Sequence, residues 1–188
     1  MKVLVIPEDP TLDQYILKPI VEKLFEDVGR PAFVEVLSKP HLRGVDQALD
    51  PETVGTIILD RRMFDLFLLI VDRDCQPTRD ATIAGLERAH PGKLIGCLAV
   101  EEVEVWMLAL HRDLLGERWQ TVLDECSPKE RFAWPLLDAQ GWNKGPGRGR
   151  VRAMSALAGQ WKGLLAVCPE LAALRDRLRA QLDRSSAS

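Results

Sequence analysis

The run Leu66-Phe-Leu-Leu-Ile-Val71 contains no polar side chain and stops abruptly at Asp72-Arg73-Asp74. Successive residues of a strand point to opposite faces, so a run apolar at every position predicts a strand covered on both sides, at the centre of a parallel sheet. Lys2-Val-Leu-Val-Ile6, Phe33-Val-Glu-Val-Leu37 and Leu94-Ile-Gly-Cys-Leu-Ala-Val100 predict three more strands. Between them, Ile16, Ile20, Leu24 and Val28 recur every four residues with Leu17, Val21 and Phe25 alongside. That spacing predicts an amphipathic helix over 12–28, closed by Gly29 and kinked or restarted at Pro19. Helices are also expected over 45–63, 79–90 and 102–115. The order β-α-β-α-β-α-β-α predicts an α/β fold: a four-stranded, mostly parallel sheet with helices on both faces. Beyond Gly116 only helical patterns occur, over roughly 117–126, 128–139, 150–166 and 169–183. The expected organisation is an α/β domain over 1–116 and a helical extension over 117–188, packed together as one structural unit, with a frayed end at 185–188.

The composition, 46% hydrophobic and 28% charged over 188 residues, is that of a globular domain and excludes a disordered, collagen-like or disulfide-stapled chain. Cys75, Cys97, Cys126 and Cys168 lie far apart with no Cys-x-x-Cys pair, which argues against a zinc ribbon or a redox dithiol. The N-terminus turns acidic after four apolar residues, and no run approaches the roughly 18 to 20 apolar residues that cross a bilayer. A reduced, cytoplasmic protein without a membrane partner is expected. The net charge of −3 conceals an asymmetry. Residues 1–140 hold 16 Lys+Arg against 25 Asp+Glu (−9), and residues 141–188 hold 9 against 3 (+6). An acidic body with a basic tail suits a metal-dependent enzyme acting on a polyanion, and equally an ordinary protein with a basic helix.

In open parallel sheets ligands bind beyond the carboxyl ends of the strands. Three of the four expected strands release acids there: Glu8 and Asp9 after the first, Asp72 and Asp74 after the third, Glu101, Glu102 and Glu104 after the fourth. Alternation in an extended Asp-x-Asp sends both carboxylates to one side and Arg73 to the other. Clustered carboxylates repel, a divalent cation offsets that repulsion, and an all-oxygen donor set suits Mg²⁺ or Mn²⁺ rather than zinc. Each group also has a plainer reading. Asp72 and Asp74 can serve as a turn or helix-capping pair, Pro-Glu-Asp-Pro around Glu8 is itself a good turn, and Glu102 and Glu104 suit the first turn of a helix.

The three clusters also resemble a known family. A Glu after strand one, an Asp-x-Asp after strand three and this β/α order are similar to the Toprim domain of topoisomerases, bacterial primases, ribosomal-RNA maturases and overcoming-lysogenization-defect nucleases. The sequence looks closest to small bacterial Toprim-like families, some found in phage-defence systems. Glu8 followed by Asp13, Asp72-Arg73-Asp74, and Glu102-Val-Glu104-Val-Trp106-Met-Leu108 carry the resemblance, which spans residues 8–108. It implies Glu8 as general acid/base, Asp72 and Asp74 as Mg²⁺ or Mn²⁺ ligands with Glu102 or Glu104 as additional ones, and cleavage of a phosphodiester in DNA or RNA. A companion ATPase is an implied partner; the oligomeric state stays open, a homodimer included. A topoisomerase needs a nucleophilic tyrosine, and the only one, Tyr15, falls in the apolar stripe region of the first helix, so hydrolysis by activated water is the expected reaction.

Gly141-Trp-Asn-Lys-Gly-Pro-Gly-Arg-Gly149 is a glycine-rich basic loop without a preceding strand or a P-loop pattern. It is either a connector between helices or a phosphate-backbone contact through Lys144, Arg148 and Arg150. Trp106 and Trp142 are expected to pack on the core, His111 to be exposed, and Leu171, Leu174 and Leu178 to face inward. The reading is thus a Mg²⁺-dependent Toprim-like nuclease. Against it stands a non-enzymatic module of the same fold that binds a protein or nucleic acid, suggested by Asp9 where Toprim proteins usually place Gly. A receiver-like domain ranks last, because no fifth strand carries the lysine it needs.

Overall fold

The computed structural model describes residues 1–186, with the side chains of residues 1–184. Four strands, β1 (Lys2–Pro7), β2 (Phe33–Val36), β3 (Leu66–Asp72) and β4 (Leu94–Ala99), form one all-parallel sheet in the order β2-β1-β3-β4. The central pair is in register from Val3 opposite Leu66 to Pro7 opposite Ile70, and β3 continues beside β4 until Asp72 faces Ala99. Every residue of β3 is buried, as its unbroken apolar run requires.

Strand alternation divides the core in two. Val3, Val5, Leu66, Leu68 and Ile70 face α1 (Gln14–Asp27), α5 (Glu104–Ala109) and the C-terminal helices. Leu4, Ile6, Phe67, Leu69 and Val71 face α2 (Val45–Ala48), α3 (Pro51–Asp60) and α4 (Arg79–Ala89). Helices therefore cover both faces. The chain winds from β1 outward to β2, then returns past β1 to β3 and β4. The topological switch lies between β1 and β3, where open α/β sheets form a crevice at their carboxyl ends.

Helix limits differ from expectation where proline intervenes. Helix α1 runs through Pro19 without a break. The segment expected as one helix over 45–63 is two, because Pro51 offers no N–H to continue the first. Asp50 instead starts α3, accepting from Thr53 N at 2.8 Å and Thr53 Oγ1 at 2.7 Å. Helix α5 is short and gives way to a 3₁₀ turn at Arg112–Leu114. Helix α6 covers Trp119–Leu123, and a π-helical turn over Lys129–Ala133 precedes α7 (Trp134–Ala139). The segment 150–166 divides into α8 (Arg150–Met154) and α9 (Leu157–Val167).

Helix α10 (Pro169–Ser186) buries Leu171, Leu174, Leu178 and Leu182 in the same cluster as Leu17, Leu24 and Phe25 of α1. It also lies along β4, where Arg177 donates to Gly96 O at 2.9 Å and Gln181 to Gly92 O at 2.8 Å. Covering a sheet edge in this way blocks further strand pairing there. Part of the expected frayed end, residues 187 and 188, lies outside the described residues. Among the described residues no helix is long and apolar enough to cross a membrane.

Two sequence expectations are corrected. Cys75 and Cys126, 51 residues apart, are joined by a disulfide with their Cα atoms 5.7 Å apart, so the four cysteines are not all reduced. Sequence spacing missed the pair because the fold, not the chain, brings the ends of β3 and α6 together. Cys97 and Cys168 are free and buried. His111 is buried rather than exposed; its Nε2 lies 2.9 Å from Ala153 O, and its ring meets Trp142 edge-on with centroids 5.0 Å apart.

Candidate metal centre

Three acidic segments emerge at the carboxyl edge of the sheet. Asp72 is the last residue of β3, Glu8 follows β1 next to it, and Glu102 lies in the turn between β4 and α5. Asp72, Asp74 and Glu102 each present a carboxylate oxygen within 4.8 Å of the other two. Glu8 lines a small cavity of about 190 Å³ together with Asp9, Asp13, Asp72, Glu104, Lys129 and Arg150. Asp72 belongs to both groups and joins them.

The backbone around the trio is held in unusual conformations. Among the described residues, the non-glycine positions at positive φ are Asp74 (45°), Cys75 (54°), Glu101 (56°) and Arg148 (48°). Three of the four sit in the turns after β3 and β4, and left-handed backbone costs a non-glycine residue on the order of 1 kcal/mol or more. Hydrogen bonds between the turns hold it. Arg73 N donates to Ala99 O at 3.2 Å, Asp74 N to Glu101 O at 3.1 Å, and Cys75 N to Glu101 Oε2 at 2.5 Å. The Arg73 guanidinium grips Glu101 Oε1, with Nε at 2.8 Å. Asp9, in contrast, is not at positive φ, so its turn has no need of glycine.

Burial and mutual repulsion dominate the electrostatics. Asp72 is only 9% exposed, and burial together with Asp13, Glu104 and Glu8 pushes its carboxyl well above the usual carboxylate range. Burial, then Glu104 and Asp9, push Asp13 up to about 8. Burial and Asp74 raise Glu8, and burial raises Glu102. One oxygen of Glu8, Oε2, is buried without a hydrogen-bond partner. These carboxyls resist ionisation because they are buried and face too little positive charge, a deficit that a divalent cation would offset. The all-oxygen donor set and the orphaned Glu8 oxygen fit Mg²⁺ or Mn²⁺.

The protein's own cations partly compensate. Arg79 donates to Asp74 Oδ2 at 2.7 Å and to the Asp72 carbonyl at 2.5 Å. Lys129 approaches Glu102 with its Nζ at 3.2 Å and its backbone N at 2.6 Å. Burial opposes the charge on Lys129, but Glu104 and Glu102 outweigh it and hold its ammonium above the usual lysine range.

Glu104 and Arg150 depart from expectation. Glu104 stands outside the Asp72–Asp74–Glu102 trio, and its Oε1 accepts from Arg150 Nη2. Arg150 is fully buried, so the expected phosphate contact is corrected: this guanidinium neutralises Glu104 inside the protein. Lys144 and Arg148 are exposed. Their loop packs on α1, because a Cβ on Gly147 would stand 2.6 Å from the Tyr15 ring, and one on Gly149 would stand 2.5 Å from Trp142 O. Tyr15 thus packs, as expected, and Trp106 is fully buried with its Nε1 donating to Glu170 Oε1 at 2.7 Å.

No family model, no curated protein and no solved structure matches the chain. Its site is therefore read from its own geometry.

That geometry gives roles to four residues beyond the site residues expected from sequence. Asp13 carried a signal, since it follows Glu8 by five residues where α1 begins. Lys129 and Arg79 carried none, and Glu101 was named among the acids after the fourth strand without a role of its own. Lys129 comes from the helical extension, Arg79 looks like an ordinary first-turn residue of α4, and Glu101 is one acid among several.

Proposed function

We propose that the chain is a Mg²⁺- or Mn²⁺-dependent phosphodiesterase of Toprim type that hydrolyses DNA or RNA, in the cytoplasm, within a bacterial defence or nucleic-acid-processing system and beside a companion ATPase. The observation that carries the reading is the approach of carboxylate oxygens of Asp72, Asp74 and Glu102 to within 4.8 Å of one another at the sheet's carboxyl edge, with Glu8 directly after the neighbouring strand. Asp72, Asp74 and Glu102 would hold the divalent ion, which would supply positive charge to the oxygens of a phosphodiester.

The chain's own groups do the rest. Glu8, its proton affinity raised by burial, acts as the general acid/base that exchanges a proton with water or the leaving oxygen. Lys129 places a second cation in the cavity lining, where the other, Arg150, is already paired with Glu104. Asp13 and the Glu104–Arg150 pair form the cavity's inner wall and fix its shape. Lys144 and Arg148, on the exposed part of the neighbouring loop, are the candidate contacts to the nucleic-acid backbone.

The test incubates the purified chain with plasmid DNA and with RNA in Mg²⁺ or Mn²⁺, beside Asp72→Asn and Glu8→Gln. Cleavage should fall about 100-fold or more in each variant, the scale on which general acid–base groups act. Cleavage indifferent to both substitutions and to chelation would overturn the assignment.

One observation favours a second reading, a non-enzymatic module that binds a protein or nucleic acid. Asp74 is paired with Arg79 and Glu102 with Lys129, so the protein itself offsets part of the charge. That reading predicts nucleic-acid or protein binding unchanged by chelator, with no cleavage.

A further inference from the structure

Cys75 directly follows Asp74, and Cys126 lies three residues before Lys129. Their disulfide therefore joins the two segments that flank the acidic trio: one carries Asp72 and Asp74, the other carries the lysine that holds Glu102 through both its Nζ and its backbone N. Both cysteines are exposed, so a thiol reaches their bond from solvent, whereas Cys97 and Cys168 are buried free thiols. The segment between Asp74 and Cys75 is also the one kept in left-handed backbone, with Cys75 N bonded to Glu101 Oε2.

We propose that the Cys75–Cys126 disulfide is a thiol-exchange site that governs the acidic centre, keeping Asp74 beside Asp72 and Glu102 when oxidised and releasing it when reduced. The exchange partner is a small thiol or dithiol. One dithiol, or two molecules of a monothiol, deliver two electrons and two protons; the S–S bond breaks, two S–H bonds form, and the donor leaves as its intramolecular disulfide or as the paired disulfide, RS–SR. The same exchange run backward with an oxidised thiol closes the bond. Once it opens, the tether across 51 residues is lost, and the turn at Asp74 and Cys75 keeps its hydrogen bonds and the Arg79 pair but has no covalent link to the Lys129 segment. Asp74 and Cys75 then relax toward ordinary backbone, and Asp74 moves away from the trio.

The inference rests on the metal-centre reading, and the experiment separates the two. Alkylation of the unreduced full chain in denaturant should label two of its four cysteines; labelling of all four would overturn the proposal. Mn²⁺ titration of oxidised and dithiol-reduced protein should show affinity lower by about fivefold or more after reduction, the scale of an effector-coupled change. Cys126→Ser should match the reduced form and ignore reductant. Equal affinity in both states would overturn the latch. Hydrogen exchange of residues 72–76 and 126–130 gives a second readout that needs no metal. Faster exchange on reduction supports the latch even if neither state binds Mn²⁺, an outcome that defeats the metal centre alone; unchanged exchange overturns the latch.

Discussion

Asp72 Oδ1 accepts the backbone N–H of Val103 at 2.9 Å, so the last residue of β3 is fixed by the turn that follows β4. Two segments separated by 31 residues are thereby held at one level of the sheet. With Asp74 N on Glu101 O and Arg73 on the Glu101 carboxylate, the turns after β3 and β4 form one unit, and Asp72, Asp74 and Glu102 lie close because of it. On its other side Asp72 adjoins Glu8, which follows β1, so the cavity that both line lies at the β1/β3 switch of the sheet, where the diverging crossovers leave room for a ligand.

The raised proton affinity of the cluster gives stability a definite slope with pH. Asp13 sits at about 8 in the folded chain against an ordinary 3.8, so between these values the folded state binds more protons than the unfolded one. Stability is then greatest at the acid end of that window and is lost as pH rises through it. Asp72, Glu8 and Glu102 are shifted in the same direction. In chelator the melting temperature should fall as pH rises toward 8, Asp13→Asn should flatten the fall, and Mg²⁺ should reduce it by replacing protons. A melting temperature that rises steadily across the window would contradict the burial of these acids.

The Glu104–Arg150 pair offers a cleaner energetic test, because both side chains are essentially inaccessible. Removing one partner leaves the other charge buried alone, which costs about 3–5 kcal/mol. Arg150→Met and Glu104→Gln should each lower urea stability on that scale, while the double substitution should cost much less than their sum. Additive losses would show that the two side chains do not depend on each other.

The glycine-rich loop separates binding from folding. Lys144→Ala and Arg148→Ala alter exposed side chains, so each should weaken nucleic-acid binding and lower the slope of log affinity against log salt by about one, with little change in melting temperature. Gly147→Ala should instead destabilise by about 1–3 kcal/mol, because its φ is 68° and the new Cβ would strike the Tyr15 ring. Binding unaffected by both charge removals would leave the loop as a packing device alone.

Much of this was legible in the sequence, for physical reasons that also explain the gaps. The apolar run 66–71 could only be a buried strand, and its stop at Asp72 placed the carboxylates at the strand's end. Period-two and period-four patterns survive in a single sequence because burial imposes them locally. The Cys75–Cys126 bond, the Lys129–Glu102 contact and the burial of Arg150 depend instead on where the helical extension returns to the sheet, and no local pattern records that path. Arg150 shows it most plainly: three basic residues in one loop looked equivalent, yet two are exposed and the third is fully buried against Glu104. Proline misled in both directions, being absorbed within α1 at Pro19 and dividing α2 from α3 at Pro51.

The most direct measurement is an anomalous difference map from a crystal of the full chain grown with Mn²⁺. A peak is expected among the carboxylates of Asp72, Asp74 and Glu102, within coordinating distance of at least two of them and absent in Asp72→Asn. A map with no peak there, in well-ordered crystals at millimolar Mn²⁺ and neutral pH, would contradict a metal centre at this edge of the sheet.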